Sequence, residues 1–596
     1  MIKPPAFSVG ALRRALFLCS KWMLVPAGVT GGLIMSAQAA PYSGLPSAGS
    51  LGNTLPSSSS AIPQQRAGAS LVIPELASPS TATVGGGSVV LGKVVLEGTE
   101  AVPGLSVDAL QRIAETYLNK PQTFADLQRM AQAMTRECRA QGLALAQVVL
   151  PPQTVSQGVL RVRVWPGVFD TPTIRNSSEL STSVVERIVS ATTPSGDVVN
   201  RRSLERAALL LGDIPGIRPA AIVMRPGTLP GSTAMDITVS PGQRMGGYVG
   251  LDNAGVDSTG RSRVMAGIQA NELLGQGDQL KVDVLDAYEN SNLLNGGIDY
   301  SLLVGGYGTR AGVSWSHLNY RYYLQGLKFD GDSDNVGAYV QHPWVRTPST
   351  RIDVRLDAGV QMMTDRYPSL FALIAGGNSA RKEVTSGSLS VSGSSAWLAG
   401  GLSTFNLQGT LGNLSVKNDA ARFWSSSDLL DSAGSFGRLN YQATHEQYLI
   451  GPLSLQGSVN GQFASKNLDS SQKLLTGGAV GVRAYAAGSG AVDDGVVASL
   501  EFRSQWTLPV LPVLGGEHQV TLAGFYDQSW GQQYHNNTGL TSQNQVELAG
   551  GGAYVKVARN DDYALMLTWA HRTGDKDPVS GLSDRDLFWV SAVKSF

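Results

Sequence analysis

Arg351, Asp353, Arg355 and Asp357 alternate with Ile352, Val354 and Leu356, so a strand through them carries charge on one face and aliphatic side chains on the other. Side chains in that order build a wall between water and hydrocarbon rather than a catalyst. The patterns that would make a catalyst are missing: there is no G-x-x-x-x-G-K-[ST] phosphate loop, no G-x-S-x-G elbow and no H-E-x-x-H helix. His317, His342, His445, His518, His535 and His571 are scattered, and none pairs with another at metal-ligand spacing. A Ser and His site inside a barrel is a conceivable chemistry, but no residues nominate one. The expectation is a protein that is not an enzyme and uses no cofactor or metal. Two further charges stand out. Arg483 lies among Gly477, Gly478, Gly481 and Gly488, in a segment too rich in glycine to support itself. Asp527 shares one face of an alternating run with Thr521 and Phe525, while Val520, Leu522 and Tyr526 share the other. Enclosed charges need partners, because stranding one away from water is costly. The alternative is that each is a solvated charge in a wet lumen.

The elements that would carry these residues are strands. Alternation of the 351–357 kind recurs from Arg244 to the end, where no convincing helix interrupts it. About sixteen strands of roughly 10–14 residues fit that span, a normal length for tilted membrane strands. The final segment, Leu587-Phe588-Trp589-Val590-Ser591-Ala592-Val593-Lys594-Ser595-Phe596, ends on an aromatic residue expected to serve as a barrel-assembly signal. Only 15% of residues are charged, Gly numbers 70, and Lys+Arg and Asp+Glu are both 46, so net charge gives no hint of nucleic-acid binding. No apolar run long enough for a membrane helix follows the N-terminal segment. Tyr320, Tyr322, Tyr323, Trp344, Trp506, Trp569 and Trp589 fall near strand ends and are expected in interfacial girdles. The fold class expected is a transmembrane β-barrel of about sixteen antiparallel strands, a large soluble β protein being the alternative.

Residues 1–40 have the basic start, apolar stretch and Ala37-Gln38-Ala39 site of a secretory signal, with a mis-set start as the alternative. Cys138 is then the one cysteine left, so no internal disulfide forms. Residues 41–87, rich in Ser, Pro and Gly, are expected to be a flexible linker. Residues 88–167 follow the order β-α-α-β-β, with helical spacing over 106–118 and a second helix over 123–141 capped by Thr123 and Asp126. Residues 168–243 repeat that order, with helices over 181–191 and 202–211.

Two such modules before a sixteen-strand barrel resemble the two-partner secretion transporters, the haemolysin secretion/activation family of the BamA-like superfamily. In the first module Pro151-Pro152-Gln153 and Gly158-Val159-Leu160-Arg161-Val162-Arg163-Val164 carry the likeness, and in the second Leu204-Glu205-Arg206-Ala207 with Ile214-Pro215-Gly216. Asp252-Asn253, Gly260-Arg261, Asn271, Gly277-Asp278-Gln279-Leu280 and His342-Pro343 with Arg346 resemble family segments of the barrel. The most specific match is Val482-Arg483-Ala484-Tyr485, similar to the family's Val-Arg-Gly-Tyr, with Phe525-Tyr526-Asp527 similar to its Phe-x-Asp.

The resemblance implies that residues 88–167 and 168–243 are periplasmic POTRA domains and 244–596 an outer-membrane barrel. It implies that a loop over 465–494, between the eleventh and twelfth strands, folds into the pore and is anchored by Val482, Arg483, Tyr485, Phe525 and Asp527. It further implies export of a haemolysin- or adhesin-like partner protein without ATP, the partner being captured by the POTRA domains, with the barrel-assembly machinery and outer-membrane lipid as other partners. Rival readings are an assembly factor of the same superfamily and a diffusion porin. Three departures stand against the pattern: Ala484 in place of Gly, Lys594 where an apolar residue is usual, and no clear plug helix in 41–83. Gly49-Ser50-Leu51-Gly52-Asn53-Thr54-Leu55 is at most a degenerate plug segment.

Overall fold

The computed structural model describes residues 45–55, 70–72 and 87–596, except 101, 103, 229–230, 288, 290–291, 398–399, 509–515, 542, 560–561 and 575–584. The expected signal segment, 1–40, lies outside the described residues. From Met245 the chain forms a closed barrel of sixteen antiparallel strands, each paired with its sequence neighbour. The seventh, Thr350–Arg366, contains the alternating run: Arg351 pairs with Asp353 and Arg355 with Asp357 on the inner face. Leu356 is exposed on the outside. No described helix is long and apolar enough to cross a membrane.

The barrel closes between its first strand, Met245–Asp252, and its last, Asp586–Ser595, in register from Tyr248–Ser595 to Asp252–Ser591. Side chains and the terminus extend this seam at both ends. The Asn253 amide donates to the Phe588 carbonyl (2.9 Å) and accepts from the Val590 N–H (2.8 Å). At the other end Phe596 and Gly247 exchange backbone hydrogen bonds of 3.0 and 2.9 Å. The Phe596 ring lies over Gly247, where an added Cβ would meet it at 2.7 Å. Lys594 turns outward to an ion pair with Asp562.

Short helices do occur past residue 244: Ala372–Ala375, Asp419–Ser425 and Ser427–Leu430, in the connections after the seventh and ninth strands. They are too short to show helical periodicity, and the longest is started by the Asn418 side chain accepting from the Ala421 N–H (3.1 Å). The first module has helices Val107–Glu115 and Phe124–Ala140 against a sheet ordered Lys93–Glu97, Val159–Trp165, Gln147–Val149. Thr123 and Asp126 form the capping box. The second has helices Thr182–Thr192 and Arg201–Gly212 against Ala221–Pro226 and Ser232–Val239.

The second module sits directly on the barrel. Arg346 grips Asp213 with two hydrogen bonds (2.7 and 2.8 Å), and Arg206 donates to the Pro343 carbonyl (2.9 Å). Gly216, at φ +84°, comes so near that a Cβ there would lie 2.8 Å from that of Asn271. The segments around Arg206, Ile214-Pro215-Gly216, Asn271 and His342-Pro343, unrelated in sequence, thus meet at one junction.

Deleting Phe596 is expected to lower the amount of heat-modifiable, folded barrel in outer-membrane fractions, because it removes both backbone bonds to Gly247 and the ring that covers it. Transport per folded molecule should stay the same. Unchanged folded levels with lost transport would contradict this.

Candidate functional site

Among the described residues, two pieces of the chain occupy the lumen. One is the connection between the eleventh strand, Leu453–Ala464, and the twelfth, Asp494–Leu508. It contains a small hairpin, Leu474–Leu475 with Ala491–Val492, and the glycine-rich turn carrying Arg483. Glycine is needed where this turn doubles back: Gly478 has φ +110°, and a Cβ on Gly481 would lie 2.3 Å from the Thr476 carbonyl oxygen.

Arg483 reaches the thirteenth strand, His518–Gln532. Its Nε and Nη2 donate to the two Asp527 oxygens at 2.8 and 2.7 Å, and its backbone N–H donates to the same carboxylate at 3.1 Å. Nη1 faces Glu501 at 2.8 Å, and Nη2 also donates to Ser499 at 3.0 Å. The guanidinium lies 3.4 Å from the centre of the Phe525 ring. Asp527 is 0% exposed and Arg483 8%, so this is a buried pair and not two solvated lumen charges. Glu501 is held in turn by Arg503 (2.7 Å) and by the Tyr554 hydroxyl, which donates at 3.0 Å. A bidentate guanidinium with a second carboxylate on its free nitrogen is a rigid clamp, which Lys could not reproduce.

Val482 and Tyr485 flank the clamp in an apolar cluster with Leu548 and Ala570. The Tyr485 ring lies 5.8 Å from the Arg572 guanidinium. Ala484 is buried against Gly550. It does not adopt positive φ, so the lost freedom of glycine costs nothing at this position.

Ser499, Glu501, Arg503 and Trp589 complete the site, and sequence reading missed them. The first three recur at every second position of the twelfth strand, a signal of one wet face that was available. Trp589 was expected in a girdle. It is 5% exposed, and its indole N–H donates to the Arg483 carbonyl at 2.7 Å. Phe588 and Val590 face outward, so period two turns Trp589 inward. Tyr320 and Tyr322 are corrected likewise: both are buried in the lumen, whereas Tyr323, Trp344, Trp506 and Trp569 are exposed.

The second piece comes from the expected linker and overlaps the segment 49–55 named there as at most a degenerate plug. Within 41–87, Ala48–Gly52 form a helix inside the barrel, started by a capping box of Ser47 and Ser50. Ala48 and Leu51 are buried. The Ala48 N–H donates to Asp365 (2.7 Å), which also accepts from the Tyr320 hydroxyl (2.6 Å). Tyr322 donates to the Pro46 carbonyl (3.1 Å), and Arg263, paired with Asp252, donates to that of Thr54 (3.3 Å). A helix of five residues, with Ala48, Gly49 and Leu51 buried, is too short to show an amphipathic pattern. The plug and the loop touch: the hydroxyls of Ser47 and Ser470 lie 3.1 Å apart, and Asn53 donates to the Ser470 carbonyl at 3.0 Å. Lys382 and Asp469 form a buried pair (2.8 Å) beneath them.

Removing one partner of such a buried pair typically costs about 3–5 kcal/mol. Arg483→Ala leaves Asp527 only Ser499 and the backbone N–H of position 483, with no cation beside it, whereas Asp527→Ala leaves Arg483 its contact with Glu501. Both variants should lose transport strongly while the barrel still inserts, Arg483→Ala more so. The double variant should be no worse than Arg483→Ala. A double-mutant cycle read as exported protein per folded transporter measures this, and additive losses would contradict it. Gly49→Val should expel the plug, since a Cβ at Gly49 lies 2.6 Å from that of Ser471, and raise the ion conductance of the purified chain in planar bilayers. Unchanged conductance would contradict it.

Comparisons with known proteins agree with this architecture. The description "POTRA domain, ShlB-type" matches residues 89–167, and "Haemolysin secretion/activation protein ShlB/FhaC/HecB" matches 231–557. The chain is 31% identical over 493 residues to the heme/hemopexin transporter protein HuxB of Haemophilus influenzae (strain 86-028NP), covering 82% of this chain and 84% of that protein. It is 24% identical over 407 residues to the outer membrane transporter CdiB of Dickeya dadantii (strain 3937), covering 66% and 69%. The solved structure of CdiB from Escherichia coli superimposes with a TM-score of 0.67 at 18% identity, over 89% of this chain and 94% of that one, which speaks for the fold. The chain belongs to the ShlB/FhaC/HecB haemolysin secretion/activation family and is an outer-membrane β-barrel transporter.

Proposed function

We propose that this protein captures an unfolded exoprotein in the periplasm and passes it through the barrel to the cell surface, with residues 168–243 acting as a second POTRA domain. The observation that carries this reading is the filled lumen: a one-turn plug and a clamped loop occupy a pore whose wall is polar, an arrangement that is closed at rest and opens by moving parts rather than by chemistry. A diffusion porin needs neither the plug nor the strand-presenting modules. The closed barrel offers no free strand edge, but the modules do, and strand addition binds unfolded chain through its backbone with little demand on sequence. The Arg483–Asp527 clamp holds the loop at the depth where the passing chain must slide by it. No phosphate loop is present to supply ATP energy, so folding of the exported chain outside the cell gives the direction. HuxB is named for heme/hemopexin transport and CdiB as an outer-membrane transporter, and the cargo proposed for this chain is a haemolysin- or adhesin-like exoprotein encoded beside it.

Deleting residues 168–243 should abolish secretion of that exoprotein and still leave a heat-modifiable barrel in the membrane. Secretion at the normal level would sink the capture model.

A further inference from the structure

Trp315, His317 and Asp334 form a small unit on the outer face of the barrel, and Trp569, His571 and Asp586 form it a second time. In the fifth strand, Thr309–Leu324, the Trp315 indole N–H and the His317 Nδ1 both reach one oxygen of Asp334 on the sixth, Leu327–Arg346, at 3.3 and 2.9 Å. In the fifteenth strand, Tyr563–Arg572, Trp569 and His571 reach one oxygen of Asp586 on the sixteenth in the same way, at 2.9 and 3.0 Å. The Trp and His rings lie 6.3 Å apart in both units. Val313 in the one strand, and Leu565 and Leu567 in the other, share the parity of these residues and are exposed, so both units face outward and not into the lumen.

The two units also share a depth. Gly308, just before the fifth strand, packs on Leu210 of the second module, so that strand starts at the periplasmic end, and the fifteenth runs the same way. His317 is the ninth residue of its strand and His571 the ninth of its own. About 9–11 tilted residues cross the hydrocarbon layer. Both imidazoles therefore stand where the wall leaves hydrocarbon for the outer headgroups, the level at which indole rings also settle.

A third trio, at the opposite rim, supplies a contrast. At the periplasmic end Trp397 and His445 share the Ser403 hydroxyl, both at 2.8 Å. A hydroxyl donates or accepts, so it leaves the tautomer of His445 open. A carboxylate only accepts, so Asp334 and Asp586 keep a proton on Nδ1 and leave Nε2 to an outside partner. The His317 and His571 side chains are 41% and 39% exposed, and Nε2 of neither ring has a partner among the described residues.

We propose that the His317–Asp334 and His571–Asp586 pairs bind phosphate monoesters of the glycolipid that forms the outer leaflet of the membrane. This is a site of the barrel wall, separate from the pore and from the export reading. A phosphate monoester suits Nε2 in either protonation state of the ring: an imidazolium Nε2–H donates to a phosphate oxygen, and a neutral Nε2 accepts from a P–OH. The carboxylate behind the ring keeps it aimed, and the indole beside it covers the apolar base of the same lipid. Two such anchors at one level, on separate parts of the wall, fix the depth at which the barrel rides.

The test uses the purified full transporter, equilibrated in detergent with bisphosphorylated lipid A or with its dephosphorylated form, and mass spectrometry of the glycolipid that co-purifies. The phosphorylated form should be retained about tenfold more, the worth of one charge-assisted hydrogen bond. His317→Phe with His571→Phe should remove that advantage, whereas His445→Phe at the periplasmic rim should keep it. Two further double variants separate ligand binding from a purely structural bond to Asp, because Gln places its nitrogen near the position of Nε2 and Asn near that of Nδ1. His317→Gln with His571→Gln should keep most of the advantage, and His317→Asn with His571→Asn should lose it, heat-modifiable mobility confirming that each variant is folded. Equal retention of the two lipid forms, an advantage that survives the Phe variants, or rescue by Asn in place of Gln would overturn the site. Inorganic phosphate should compete weakly, since it lacks the acyl chains; competition as strong as that of the phosphorylated lipid would overturn the lipid assignment.

Discussion

A guanidinium enclosed by carboxylates inside a barrel is the constraint on which the interior of this protein depends. Desolvating Arg483, Asp527 and Glu501 is expensive, and it is offset by a dense set of partners: two side-chain bonds and one backbone bond from Arg483 to Asp527, one contact to Glu501, with Ser499 and Tyr554 adding theirs. A loop built largely from glycine and small residues has little cohesion of its own. The clamp supplies the missing order, and Trp589 fixes the backbone at the same residue from the closing strand. One residue thus ties together the loop and the twelfth, thirteenth and sixteenth strands.

The outer parts of the molecule are joined by a different device, close approach. Gly216 lets the second module touch Asn271, and Gly247 lets the terminal ring lie flat against the seam. Both contacts need an absent side chain, and both sit where one element must be seated on another. At the junction the hydrogen bonds from Arg206 and Arg346 then fix the angle of the seated module. The modules are therefore not beads on a string before the barrel. The second one is carried by it.

Much of this was legible in the residues. Alternation of the 351–357 kind is a strong signal, because the lumen and the lipid demand opposite chemistries at every second position, and sixteen strands follow from repeating it. The helices of the two modules were visible through their spacing and through the Thr123 and Asp126 cap. The depth of the Arg483 site was not, since alternation says which way Asp527 points but not that a loop excludes water from it. Trp589, Tyr320 and Tyr322 were misjudged because nearness to a strand end was weighed above the parity of their neighbours. The plug was legible only as a degenerate segment at 49–55, because a five-residue helix packed against Tyr320, Tyr322 and Asp365 owes its existence to the cavity around it. Its own residues carry only the Ser47–Ser50 cap as a hint.

Ser470 and Ser471 belong to the loop and yet form part of the seat of the plug. Two ligands that share part of one site are thermodynamically linked, and the linkage is reciprocal: whatever free energy the seated plug lends to the loop, the seated loop lends to the plug. The pore therefore has no independent inner and outer bolt. Any event that loosens one lowers the cost of withdrawing the other by the same amount, so a modest push on either is felt by both.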